Sequence, residues 1–105
     1  MRRANPAPAG AILLLSWAFV AGCAIHPVPT EQLAVSEAAI ARAVDAGAAT
    51  HALVELNSAQ EKLRLSRRWV AANDLQPARW LAEQAEVDAN LATMKTLTAK
   101  ARGGR

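Results

Sequence analysis

The chain has 105 residues, a formal net charge of +3 and 52% hydrophobic residues, with three Trp, one Phe and no Tyr. Its length allows one small domain, and Arg2 and Arg3 account for two of the three excess positive charges, so the remainder is nearly neutral. Nucleic acid, which needs a concentrated cationic surface, is therefore not an expected partner.

The chain opens with Arg2-Arg3, a Pro- and Ala-rich spacer to Gly10, and the apolar run AILLLSWAFV, Ala11–Val20. A helix needs about 20 apolar residues to cross a bilayer, so this run is too short to span one. It fits the apolar core of a secretory signal peptide over residues 1–22. The next four residues, Val20-Ala21-Gly22-Cys23, resemble the lipobox of bacterial lipoproteins. That resemblance implies recognition of Val20, Ala21 and Gly22 by a signal peptidase, a diacylglyceryl group on the Cys23 sulfur and an acyl chain on its freed amine. No other cofactor is expected. Cys23 is the only cysteine and cannot form an intramolecular disulfide; lipidation would remove its thiol. Two or more acyl chains anchor stably where one barely does. Ala24 rather than Asp follows Cys23, which by the same resemblance implies the outer membrane, with the domain facing the periplasm.

Residues 23–29 read as a tether stiffened by Pro27 and Pro29. Beyond it, residues 30–102 predict an all-α domain, because alanine dominates and runs of Val, Ile, Thr and aromatics are missing. The first helix is expected over 31–46, with Thr30 as N-cap, Leu33, Ile40 and Val44 on its apolar face, and Gly47 as its stop. The second is expected over 52–72, starting near Thr50 or His51. Leu53, Leu56, Leu63 and Val70 form its inner stripe, and Leu65 with Trp69 a second edge. Asn73-Asp74 punctuates the chain, Asp74 serving as N-cap of a third helix over 75–101 with Pro77 in its first turn. This third helix carries two stripes, Ala78, Leu81, Ala85, Ala89 and Ala92 on one side, Trp80, Val87, Leu91 and Met94 on the other. Residues from Leu91 onward are expected to outrun the first helix, Thr93, Thr96 and Thr98 to weaken the last turns, and residues 103–105 to form a flexible end. The expected architecture is a three-helix antiparallel bundle or an elongated helical hairpin.

PTEQLAVSEAAIARAVDAGA (Pro29–Ala48), VELNSAQEKL (Val54–Leu63) and ARWLAEQAEVDANLA (Ala78–Ala92) resemble, in order and spacing, the bacterial lipoprotein family called domain of unknown function 4398. Leu53 departs from the Pro that the family often has before Val-Glu-Leu. The resemblance implies a periplasmic helical module, joined in some members to an OmpA-like domain that binds peptidoglycan; 105 residues leave no room for one. It supplies no catalytic residues.

Nothing in the chain assembles the groups an enzyme needs, and no enzyme activity or small-molecule substrate is expected. Cys23 is committed to lipid, His51 is the only histidine inside the helical region, and no metal-binding spacing occurs. Glu83, Glu86 and Asp88 read as a solvated acidic face or a weak cation site; Arg64, Arg67 and Arg68 read as a solvated basic face or an anion contact. The expected function is a membrane-anchored, non-catalytic interaction or scaffold module of the cell envelope. Its candidate contacts, to an envelope protein or to another copy, are Trp69, Trp80, Leu91 and Met94, although the two Trp could instead meet as core across the turn. Alternatives are an envelope spacer or self-associating coiled coil resembling the Braun-type lipoprotein, and a tetratricopeptide-like peptide groove. The terminal residues Gly103-Gly104-Arg105 lack the lysine through which the Braun-type protein is coupled.

Overall fold

The computed structural model describes residues 29–103, and all of its elements there are helical: α1 (Pro29–Ala46), α2 (Ala48–His51), α3 (Leu53–Ala71) and α4 (Leu75–Gly103). The expected signal peptide, the lipobox-like residues and most of the expected tether lie outside the described residues. The three long helices pack as a bundle. Ser36 of α1 and Ser66 of α3 both meet the first turns of α4, and both helix ends at the Gly47 corner meet its later turns. Thus α3 runs antiparallel to both neighbours, and α1 runs parallel to α4.

Small residues make the packing possible. The buried positions of α4 are Ala78, Ala82, Ala85, Ala89, Ala92 and Thr96, a strict alternation of four and three residues that forms one seam. On α3 the seam is Leu56, Ala59, Leu63 and Ser66, continued at its start by the flanking Ala52 with the same alternation. On α1 it is Ser36, Ala39, Ile40 and Ala43, with Leu33 half-buried beside them. Alanine lets backbones approach closely, and the serines exploit this. Ser36 Oγ lies 2.6 Å from the Ala82 carbonyl oxygen and 2.8 Å from that of Gln32, so its single hydrogen is shared. Ser66 Oγ donates to the Ala78 carbonyl at 2.5 Å. Two hydroxyls from two helices thus grip successive turns of α4. Polar links tie the flanks: Gln32 donates to Glu86 at 2.8 Å, Lys62 pairs with Asp88 at 2.7 Å, and Arg67 of α3 pairs with Glu37 of α1 at 2.5 Å.

The connections differ in places from the sequence reading. α1 begins at Pro29, so Thr30 stands inside the first turn and the tether loses its last residue; a proline is favoured there because its missing N–H needs no partner. Gly47 does stop α1, in the left-handed region at φ 105°. The expected second helix, 52–72, is α3 (Leu53–Ala71) to within a residue at each end; the addition is α2, a single turn before it, set off by Ala52 at φ −150°. Ala52 is buried against α4 whereas Leu53 is half exposed, so the core stripe begins with the alanine and not with the leucine. Val44 is likewise exposed, and Ala82 rather than Leu81 occupies the inner seam of α4.

At the other turn Asp74 N–H donates to the Trp69 carbonyl and Asn73 N–H to that of Val70, both at 2.9 Å. With Asn73 at φ 58°, this is the paired closure that ends many helices, and α4 follows directly after Asp74. α4 keeps its helix through Gly103, two residues beyond the expected end. Around Ala92 and Thr96 it is covered, both residues being fully buried where α2 packs on it and buries Ala48; beyond Thr96 every described residue except the half-buried Ala99 is exposed, so the end of α4 does outrun its neighbours. Thr96 satisfies its hydroxyl on the Ala92 carbonyl at 2.8 Å.

Candidate functional site

α4 is apolar on two opposite sides. Its inner seam is filled by α1 and α3. Its outer side carries Trp80, Val87, Leu91 and Met94, 60%, 58%, 46% and 67% exposed. Steps of seven, four and three residues keep these four on one stripe, half a turn away from the alanine seam. Nothing among the described residues covers it.

Among the described residues, two open depressions stand out. One, of about 410 Å³, lies where α2 meets the later turns of α4. Leu91, Met94 and Ala99 give it apolar walls, Thr98 a hydroxyl, and His51, Lys95 and Arg102 a polar rim. The other, of about 300 Å³, lies near the end of α3 and is lined by Leu65, Arg68, Trp69 and Ala72. Of the four contact residues expected from sequence, the structure therefore groups Trp80, Leu91 and Met94 on α4 and sets Trp69 on α3. The reading of the two tryptophans as core is overturned: Trp69 is 41% exposed, and residues as small as alanine occupy the seam between their helices. Val20, Ala21, Gly22 and Cys23 lie outside the described residues.

The charged side chains are largely engaged with one another. Asp88 is partly buried, which raises its pKa, but hydrogen bonds from Lys62 and from Ser58 at 2.6 Å outweigh this and leave the carboxyl below its ordinary range. The Lys95 ammonium holds Glu55 low in the same way, across α3 and α4. Glu61 and Arg64 pair within α3, lowering the acid and raising the base. Glu83 pairs with Arg79 at 3.3 Å, and Glu86 accepts from Gln32. Glu83, Glu86 and Asp88 thus turn to three different partners and do not converge on a cation; among the described residues no three His, Cys, Asp or Glu side chains gather as a metal ion requires. Likewise Arg64 and Arg67 answer Glu61 and Glu37, which divides the basic cluster. No described helix is long and apolar enough to cross a membrane.

Sequence reasoning placed Leu91 and Met94 on the stripe but missed His51, Lys95, Thr98 and Arg102 as their surroundings. The six-residue corner that turns His51 back over α4 carries no periodic signal. Only the spacing of Lys95, Thr98 and Arg102 from Leu91, by four, seven and eleven residues, could have revealed the α4 wall.

The fold and surface define an all-α three-helix bundle with a small-residue core and one apolar outer stripe. Residues 31–104 match the family model described as domain of unknown function (DUF4398). The chain belongs to that family. No curated protein and no solved structure matches it.

Proposed function

We propose that this chain is a lipid-anchored, non-catalytic interaction module of the bacterial cell envelope, held by Cys23 in the outer membrane with its bundle facing the periplasm. The observation that carries the reading is the outer stripe of α4: a bundle already closed by alanine seams keeps Trp80, Val87, Leu91 and Met94 in water. Large apolar side chains in a contiguous exposed row mark a contact surface. The anchor is supported by the sequence Val20-Ala21-Gly22-Cys23 after an apolar run of signal-peptide length. Structural spacing of the envelope is compatible with the same anchor. A tetratricopeptide-like groove draws no support from three helices, because such grooves come from stacks of three or more repeats.

The test is the Cys23→Ser variant of the full chain. Loss of palmitate labelling and release from the membrane fraction are expected. Labelling or attachment that persists in the variant overturns the anchor.

A further inference from the structure

The outer face of α4 holds a knob and a hollow at matched positions. Trp80 is the knob, a large ring standing 60% exposed near one end of the stripe. The hollow, of about 410 Å³, is centred near Thr98 toward the other end, between Leu91, Met94, Lys95, Ala99 and Arg102, with His51 closing one side. Ala89, midway between Trp80 and Thr98, belongs to the inner seam. Reversing the helix about that midpoint exchanges Trp80 with Thr98, Gln84 with Met94, and Val87 with Leu91.

We propose that two copies of this chain pair antiparallel through α4, each inserting Trp80 into the hollow of the other. This rests on the reading of the outer stripe as a contact surface and names its partner. Three observations select a second copy.

First, the stripe is narrow. Trp80, Gln84, Val87, Leu91, Met94 and Thr98 alternate by four and three residues, which is the seam of a coiled coil and not the broad apolar face of a helix lying in a bilayer. Second, the seam is its own complement under a two-fold axis, so one surface serves both partners and the assembly closes at two. An indole in the hollow meets Leu91 and the Met94 thioether on its faces, and the Arg102 guanidinium at its edge can pass over the ring. Third, the charges of α4 are divided along its length. Arg79 with Glu83, Glu86 and Asp88 leaves the first half at a net charge of −2, and Lys95, Lys100 and Arg102 bring the second to +3. Antiparallel pairing lays the acidic half along the basic half of the other copy; parallel pairing sets like beside like.

Disulfide trapping in the full-length chain tests the arrangement, run with native Cys23 and again in the Cys23→Ser background so that failure of the anchor and failure of the pairing are read separately. The double variant Val87→Cys/Leu91→Cys is expected to give a covalent dimer on mild oxidation. Adding Trp80→Ala is expected to lower its yield about tenfold or more, since a central tryptophan carries much of an interface. Trp80→Cys alone is expected to give no dimer, because antiparallel pairing holds the two positions about 27 Å apart. Circular dichroism checks that each variant stays helical. A dimer from Trp80→Cys alone, no dimer from a folded double variant, or trapping of a different protein at these positions would each overturn the pairing. So would Trp80 fluorescence quenched by lipid-borne quenchers in vesicles, which assigns the stripe to the bilayer.

Discussion

The hydroxyl of Ser36 on α1 lies 2.6 Å from the carbonyl oxygen of Ala82 on α4, and both residues are completely buried. A side chain this short reaches a neighbouring helix backbone only when nothing larger than a methyl group separates the two. Ala39 and Ala43 on one side and Ala78 and Ala85 on the other provide that spacing. Close backbones in turn limit how much apolar surface each residue can bury. The bundle is therefore tightly fitted but thinly supported, and its stability is concentrated in a few positions.

Ala82→Leu is expected to be more damaging than loss of the serine it faces. The larger side chain forces α1 and α4 apart, and overpacking of a close-fitted core costs about 1–3 kcal/mol. Ser36→Ala removes a hydrogen bond but leaves the Ala82 carbonyl able to accept within its own helix, and should cost about 1 kcal/mol. Thermal melting of the two variants, followed by circular dichroism, should rank them in that order.

Leu56 and Leu63 are the large side chains of the α3 seam, and with Ile40 they are the buried apolar residues larger than alanine among the described residues. Either leucine replaced by alanine leaves a cavity costing about 2–5 kcal/mol. In so small a domain that approaches the whole folding free energy. Urea denaturation should show a strongly reduced midpoint or no cooperative transition. The exposed Leu53, by contrast, should tolerate alanine with little change.

Gly47 and Lys100 form a second joint. Gly47 holds φ 105°, and the Lys100 ammonium crosses from α4 to the Ala46 carbonyl where α1 ends. Gly47→Ala strains the backbone by about 1–2 kcal/mol. Its new methyl would also stand 3.3 Å from Lys100 Nζ, which must give way. Lys100→Met keeps the stem but removes the cation from the helix end, an effect of about 0.3–1 kcal/mol at exposed sites. Hydrogen exchange should report the Gly47→Ala loss chiefly at α2 and the end of α1.

Acid should weaken the bundle through Asp88. Its pKa is lower folded than unfolded, because the bonds from Lys62 and Ser58 outweigh burial. The stabilisation is therefore complete above the ordinary aspartate range and disappears as pH falls through the folded value. Glu55, bound by Lys95, acts in the same direction. Melting temperature should decline below about pH 4, and Asp88→Asn should flatten that decline while lowering the melting temperature at pH 7.

Helix type and order were legible because alanine content, the Gly47 stop, Asn73-Asp74 and the 3–4 alternation are local signals. The outer stripe of α4 was legible for the same reason, with Trp80, Val87, Leu91 and Met94 repeating on one helix. The core was not fully legible. Pattern reading favours the largest apolar residues, so it put Leu53, Val44 and Leu81 inside and took Trp69 and Trp80 as a possible core pair. The folded chain gives those positions to Ala52, Ala82, Ser36 and Ser66, since close-packed helices admit only small side chains.

Sequence alone thus determined that this protein is helical, where its chain turns, and which side of its last helix repeats in large apolar residues. These properties follow from backbone preference and from spacing along a single helix. Tertiary structure decided which of two apolar sides on α4 is covered, that α1 lies parallel to it, and that His51 returns beside Leu91 and Met94. Such relations depend on how closely neighbouring backbones can approach, which no single segment specifies.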